Sequence, residues 1–358
     1  MNPVQLALIF AAALSASLML TWITRGIMRR LCVFDIPAGG RKAHGRPVAY
    51  EGGLAMHFAF LAALIAAAFA VPEFFYDNLQ MRGLAIGATL IVAVGVADDL
   101  VDLRPLVKLA AQLTVGIVMY YHDFRIEKIT NPFGEEIAFW AGVSLAGTML
   151  WYALLMNGIN MIDGLDGLAA GIAGISGLTL CAIALDMNQP FGAALALIIA
   201  GICCGFLPFN FSPATIFMGD AGSMLLGFLL ASLTLLSSTK APALFALLVP
   251  LLALGLPLFE TIFAFVRRAA QGQHPFRGDR RHLHHRFISL GFSEKRTVLI
   301  FYYITAYFGV IAWVLQRLEV RATLALAIIV GVGMIFVVEN MRYLEKRRSS
   351  GSNSKDNG

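Results

Sequence analysis

The stretch GLAIGATLIVAVGVADDLVDLRPLVK, residues 83–108, decides how the rest of the chain is read. Fifteen uncharged residues run from Gly83 to Ala97, and then two carboxylates, Asp98 and Asp99, arrive together. Such a run approaches the ~20 residues that cross a bilayer core. A carboxylate at the centre of a span costs roughly 2.5–3.5 kcal/mol, so acids at this depth mark a site. The carboxyl end of a helix also carries partial negative charge, which makes the adjacent pair doubly unfavourable without a cation nearby. Lys108 opens the next apolar run, close enough across a short loop to pair with these acids or to hold a phosphate. Asp102 reads as solvated loop.

Outward from this stretch the pattern repeats. The 358 residues are 58% hydrophobic and only 14% charged, which excludes an ordinary soluble domain. Eleven apolar runs recur, at 3–24, 53–71, 83–97, 106–121, 138–156, 168–186, 191–207, 222–238, 242–266, 297–315 and 322–340. The expected architecture is an all-α polytopic membrane protein of about eleven transmembrane helices. Residues 1–346 form one integral-membrane domain, and the polar Ser/Gly-rich tail 347–358 is disordered. The first run has no basic segment before it and reads as a retained anchor. Residues 123–137, DFRIEKITNPFGEEI, could form a short exterior β-hairpin or a plain solvated connector. Pro250, Gly255 and Pro257 should bend the ninth run, where Glu260 follows.

Basic residues set the orientation. With the amino terminus outside, the inner segments hold 21 of the 27 Lys and Arg, and the outer ones hold 6. The carboxyl terminus is then cytoplasmic, and so are Asp98, Asp99, Asp163, Asp166 and Asp220. The net charge of +5 is small and sits beside spans, which fits bilayer lipids and phosphate substrates and not a nucleic acid. Cys32, Cys181, Cys203 and Cys204 have no metal-type spacing and read as small hydrophobes.

The last three of those acids lie at ends of apolar runs. Asn157-Gly-Ile-Asn160-Met-Ile-Asp163-Gly-Leu-Asp166 places a polar group at every third residue. On a regular helix such steps drift round the axis, and the glycines disfavour a helix. A loop curling round a ligand is expected, with oxygens converging as Mg²⁺ prefers. Asp166 reads equally as an N-cap for the helix that follows. Asp220, between glycines, reads as a cap or as a metal ligand beside phosphate-facing amides. Asn210 reads as a turn residue or a base or ribose contact. His57 reads as a satisfied core histidine. Two basic groups complete the set: Arg41, Lys42 and His44 in the first loop, and Arg281, His282, His284 and His285 in the last. They read as juxtamembrane patches or as pyrophosphate donors.

RKAHGRPVAYEGG (41–53), VADDLVDLRPLVK (96–108), NGINMIDGLDGL (157–168), PFNFSPATIFMGDAGS (208–223) and DRRHLHHRF (279–287) resemble, in order, the motifs of the polyprenyl-phosphate N-acetylhexosamine-1-phosphate transferases, glycosyltransferase family 4. The chain is similar to the branch of bacterial undecaprenyl-phosphate N-acetylglucosaminyl 1-phosphate transferases. The phospho-N-acetylmuramoyl-pentapeptide branch stands second, because His282-Leu-His284-His285-Arg departs from that branch's three-histidine run. Glu260 stands where relatives often carry Asp. The resemblance implies transfer of a sugar 1-phosphate from a UDP-N-acetylhexosamine to polyprenyl phosphate in the bacterial plasma membrane, with Mg²⁺ as cofactor and Mn²⁺ able to replace it. It implies Asp220 as principal metal ligand, helped by Asp163 or Asn160. Asp98 and Asp99 would orient or deprotonate the lipid phosphate and contact the metal. Asp163 and Asp166 would share the catalytic group, and Lys108 would neutralise phosphate charge. Arg41, Lys42, His44, Asn157, Asn210, Arg281, His282, His284 and His285 would contact substrate. A homodimer stays open. A transporter is the rival reading, opposed by the clustering of acids at one membrane face and by the lack of an internal repeat.

Overall fold

The computed structural model describes residues 1–35, 47–72, 78–130, 136–238, 287–288 and 290–317. Among them lie nine helices: α1 Pro3–Arg30, α2 Gly52–Ala70, α3 Leu79–Val101, α4 Pro105–Tyr120, α5 Ala141–Ile162, α6 Leu168–Asp186, α7 Pro190–Asn210, α8 Gly219–Ser238 and α9 Glu294–Leu315. Eight are long and apolar enough to cross a membrane. The other, α4, has 16 residues and spans about 24 Å at 1.5 Å per residue. The polytopic all-helical reading therefore holds. The runs 242–266 and 322–340, Glu260 and the tail 347–358 lie outside the described residues.

Helix starts follow local chemistry. Asn2 and Gln5 form a reciprocal capping box before α1, with Pro3 at its first position. Asn78 caps α3 through the Gln80 amide, and Pro105 and Pro190 open α4 and α7. α8 lies at the centre of the bundle, packed against α2, α3, α5, α6 and α7. Its buried hydroxyls are used: Ser232 Oγ pairs with the Tyr152 hydroxyl at 2.9 Å, and Trp151 Nε1 donates to Thr234 Oγ1 at 2.9 Å. These bonds tie α5 to α8 where no water would satisfy them. A Cβ on Gly95 would collide with the Ala221 backbone, and one on Gly53 with the amide of Gly222. Glycine at these two positions lets α3 and α2 close on the start of α8.

Two antiparallel hairpins join the helices. β3 (Lys128–Thr130) pairs with β4 (Glu136–Ala138), so of the two readings of 123–137 the paired strands are found, with β4 running on to Ala138. β1 (Phe34–Asp35) pairs with β2 (Val48–Ala49), and Ala49 forms a parallel bridge to Ile216. Two-residue strands carry no readable alternation, so the sequence did not announce them.

The segment 157–168 differs from expectation. α5 stays helical through Ile162, so Asn157 and Asn160 stand on a helix and only residues 163–167 turn. A glycine costs a helix about 1 kcal/mol. The packing of α5 on α8, with Gly158 buried, outweighs that cost. Asp166 is not the cap of α6 either; Gly167, at φ +79°, precedes the helix without a side-chain bond.

Candidate active site

The carboxyl ends of α3, α5 and α7 and the starts of α2, α4, α6 and α8 gather at one end of the bundle, and the polar residues meet there. Lys108, in the first turn of α4, is the hub. Its Nζ forms an ion pair with Asp98 Oδ2 and lies 2.6 Å from Asp220 Oδ2. Asp98 is buried, and its Oδ1 accepts the Leu103 amide at 2.8 Å, which closes the turn between α3 and α4. Asp99 faces the start of α8. Its Oδ1 accepts the Asp220 amide at 2.9 Å and its Oδ2 the Ala221 amide at 3.2 Å. The Tyr50 hydroxyl donates to Asp99 Oδ1 at 3.3 Å.

α5 contributes the far wall. Asn160 Nδ2 donates to Ser223 Oγ at 3.2 Å, one turn beyond Asp220. Asp163 is half-buried at the end of α5. Burial, and then the charges of Asp220, Asp166 and Asp99, push its carboxyl up to about 8.

The other expected residues are engaged elsewhere. Asn157 Nδ2 donates to Gln112 Oε1 at 2.6 Å and to the Ala153 carbonyl at 2.7 Å, joining α5 to α4. Asp166 Oδ2 accepts the Ala214 amide at 2.8 Å. Asn210 is buried; its Oδ1 accepts the Gly167 amide at 3.1 Å, and its Nδ2 donates to the Ile216 carbonyl at 3.0 Å. Asp166 and Asn210 thus join the loop 163–167 to the loop 211–218. The Tyr302 hydroxyl, from α9, donates to the Gly167 carbonyl at 2.6 Å. Arg41, Lys42, His44, Arg281, His282, His284 and His285 lie outside the described residues.

The donor set fits a hard divalent cation. Asp98, Asp99 and Asp220 each offer an oxygen, all within 4.8 Å of one another. Among the described residues no Cys or His joins this group. Oxygen-only sites suit Mg²⁺, Mn²⁺ or Ca²⁺ rather than thiophilic metals. Three carboxylates around one lysine leave an excess of negative charge for a cation to balance.

Two residues with no expected role adjoin the site. Tyr50 is one; burial and then the charge of Asp99 raise its hydroxyl above the usual range. The other is Glu51, 4% exposed, with neither carboxylate oxygen hydrogen-bonded. Burial, then Asp99, push its carboxyl up to about 7. Its backbone is left-handed at φ +69°. An acid directly before Gly52-Gly53 at the head of an apolar run was the available signal. His57 is buried as expected; its Nε2 lies 3.4 Å from Thr89 Oγ1, and its Nδ1 has no partner.

The profile of glycosyl transferase family 4 matches residues 81–238, from α3 to α8, which include Asp98, Asp99, Lys108, Asn160, Asp163 and Asp220. A Bacillus subtilis protein, named a probable undecaprenyl-phosphate N-acetylglucosaminyl 1-phosphate transferase, is 32% identical over 94% of this chain and 92% of its own. A decaprenyl-phosphate N-acetylglucosaminephosphotransferase of Mycolicibacterium smegmatis is 32% identical over 76% of this chain and 72% of its own. An undecaprenyl-phosphate alpha-N-acetylglucosaminyl 1-phosphate transferase of Thermotoga maritima is 30% identical over 73% and 74%. The fold is that of a polytopic membrane protein, and these matches place it among sugar-phosphate transferases. The chain belongs to glycosyl transferase family 4.

Proposed function

We propose that this protein transfers N-acetylglucosamine 1-phosphate from UDP-N-acetylglucosamine to a polyprenyl phosphate, releasing UMP, at the cytoplasmic face of a bacterial plasma membrane. The observation that carries the reading is Lys108 held between Asp98 and Asp220, three groups from three helices meeting at one end of an apolar bundle. The names of the relatives supply the sugar and the lipid. The bias of Lys and Arg along the sequence, with 21 of 27 in the segments expected on the inner side, supports the cytoplasmic placement.

The chemical obstacle is one phosphate attacking another. Two unit charges 4 Å apart repel by about 4 kcal/mol at an effective dielectric of 20. A phosphate monoester has its second pKa near ~6, so much of the lipid acceptor is already dianionic at neutral pH. Cancelling charge and aligning attacker and leaving group therefore matter more than a strong base. The Lys108 ammonium supplies one positive charge at the site. Asp98 holds that ammonium in place and accepts a proton from an acceptor that arrives protonated. Asp220, with Asn160 and Asp163, would hold Mg²⁺, which when bound neutralises phosphate oxygens. Purified protein in detergent, given UDP-N-acetylglucosamine, a polyprenyl phosphate and Mg²⁺, should release UMP and form the lipid-linked sugar. A panel of UDP-sugars then tests the hexosamine. Failure to release UMP from any of them would sink the reading.

A further inference from the structure

Asp99 stands among the acids that could ligate a cation, yet its oxygens already have partners. Oδ1 accepts from the Asp220 amide and the Tyr50 hydroxyl, and Oδ2 from the Ala221 amide. The first amides of a helix have no partner within the helix. A side-chain oxygen placed just before the helix normally takes them. Here the Met218 carbonyl accepts the first helical bond, from Gly222, and neither Met218 nor Gly219 has a side-chain oxygen. Asp99 reaches across from α3 and fills that role. Gly219 leaves room for it: a Cβ there would lie 2.6 Å from Asp99 Oδ2, and its φ of +67° disfavours any other residue.

The capping carboxylate is held from the opposite side as well. Residues 49–53 run alongside the approach to α8, with the Gly52 and Gly53 amides donating to the Phe217 and Met218 carbonyls at 2.8 and 2.9 Å. That strap delivers the Tyr50 hydroxyl to Asp99. Asp99 therefore grips the backbone of Asp220 itself, while Lys108 holds its side chain.

We propose that Asp99 is a positioning residue and not a metal ligand. It caps α8 from a neighbouring helix and thereby fixes where Asp220 presents its carboxylate, and Tyr50 orients Asp99 for that task. The proposal rests on the transferase reading for its kinetic consequences, but its geometry can be tested without turnover. An amide in place of the carboxylate keeps one cap acceptor and removes the charge, so the two roles separate cleanly.

The test uses full-length Asp99→Asn, Asp99→Ala, Asp220→Asn and Tyr50→Phe proteins in detergent. Mn²⁺ binding is read by electron paramagnetic resonance, and UMP release gives kcat and KM. Asp99→Asn should keep most of the parent's Mn²⁺ affinity, whereas Asp220→Asn should lose at least about tenfold. Asp99→Ala should lower kcat by about 10–100-fold, with Asp99→Asn recovering much of the loss and KM changing little. Tyr50→Phe should lower kcat by a smaller factor and leave Mn²⁺ affinity intact. Loss of Mn²⁺ in Asp99→Asn as severe as in Asp220→Asn would overturn the proposal. So would equal Mn²⁺ affinity in Asp220→Asn and the parent. If the parent releases no UMP, the transferase reading fails, while the metal measurements still decide the role of Asp99.

Discussion

At one end of the bundle Lys108 lies between Asp98 and Asp220, with its carboxylate partners 6% and 25% exposed. At the other end Arg317 reaches Asp186 at 2.6 Å and covers the Trp313 ring at 4.0 Å, while Arg125 reaches Asp123 and Glu127 at 2.6 and 3.2 Å. The side-chain chemistry is the same, but the surroundings differ. The outer pairs are exposed, and such pairs contribute about 0–1 kcal/mol. The inner trio has surplus acid around it and buried neighbours whose proton affinities have moved. Counting ion pairs would rank the two ends alike; among the described residues it is the inner end that gathers a surplus of buried and half-buried carboxylates.

The trio separates the two ends most strongly. Asp220→Asn, Asp98→Asn and Lys108→Met should each reduce transfer by about two orders of magnitude or more, with the protein still folded. UMP release alongside a detergent melting curve checks this; near-normal release in any of them removes that residue from the chemistry.

Glu51 gives a smaller effect with a defined sign. Its carboxyl moves from an ordinary value of 4.5 up to about 7, through burial and then Asp99. The folded state binds this proton more tightly than the unfolded one, so the group's contribution to stability falls as pH rises from 4.5 to 7. A shift of that size amounts to on the order of 3 kcal/mol. Melting temperatures between pH 5 and 8 should decline for the parent relative to Glu51→Gln, and the opposite slope would contradict the assignment. Glu51→Gly should raise the melting temperature at neutral pH, since it removes both the unpartnered carboxyl and the left-handed strain.

Close backbone contact at the inner end predicts a third effect. Gly95→Ala should push α3 off α8 and cost about 1–3 kcal/mol, with activity falling alongside stability. At the outer end Arg317→Ala should cost less than about 1 kcal/mol and leave transfer unchanged. A large loss of UMP release there would erase the distinction between the ends.

The helical membrane architecture was legible because apolar runs of near-bilayer length leave little choice of fold. Lys108 was readable as a partner for Asp98 because only a short loop separates them. Asp99 and Asp98 are adjacent in sequence but diverge in role, since successive helical residues point about 100° apart and meet different neighbours. No local pattern states which acid reaches the start of a helix more than a hundred residues later. Asn160 kept its place beside Asp220 although the expected loop proved to be helix. Asn157 and Asn210 were both expected at substrate, yet both turn to partners within the fold, Gln112 for the one and the two loop backbones for the other. Tyr50 and Glu51 stayed silent because a tyrosine and an acid before two glycines have many plainer uses.

The pairing of Lys108 with Asp98 also bears on how the chain enters the bilayer. Helices are delivered to the membrane in order of synthesis, and Asp220 follows Lys108 by 112 residues. During that interval the α3–α4 hairpin carries its own counter-ion, so Asp98 need not enter lipid as a naked anion. Arrival of α8 then adds the Asp220 carboxylate to that pair and brings the Asp220 and Ala221 amides to Asp99.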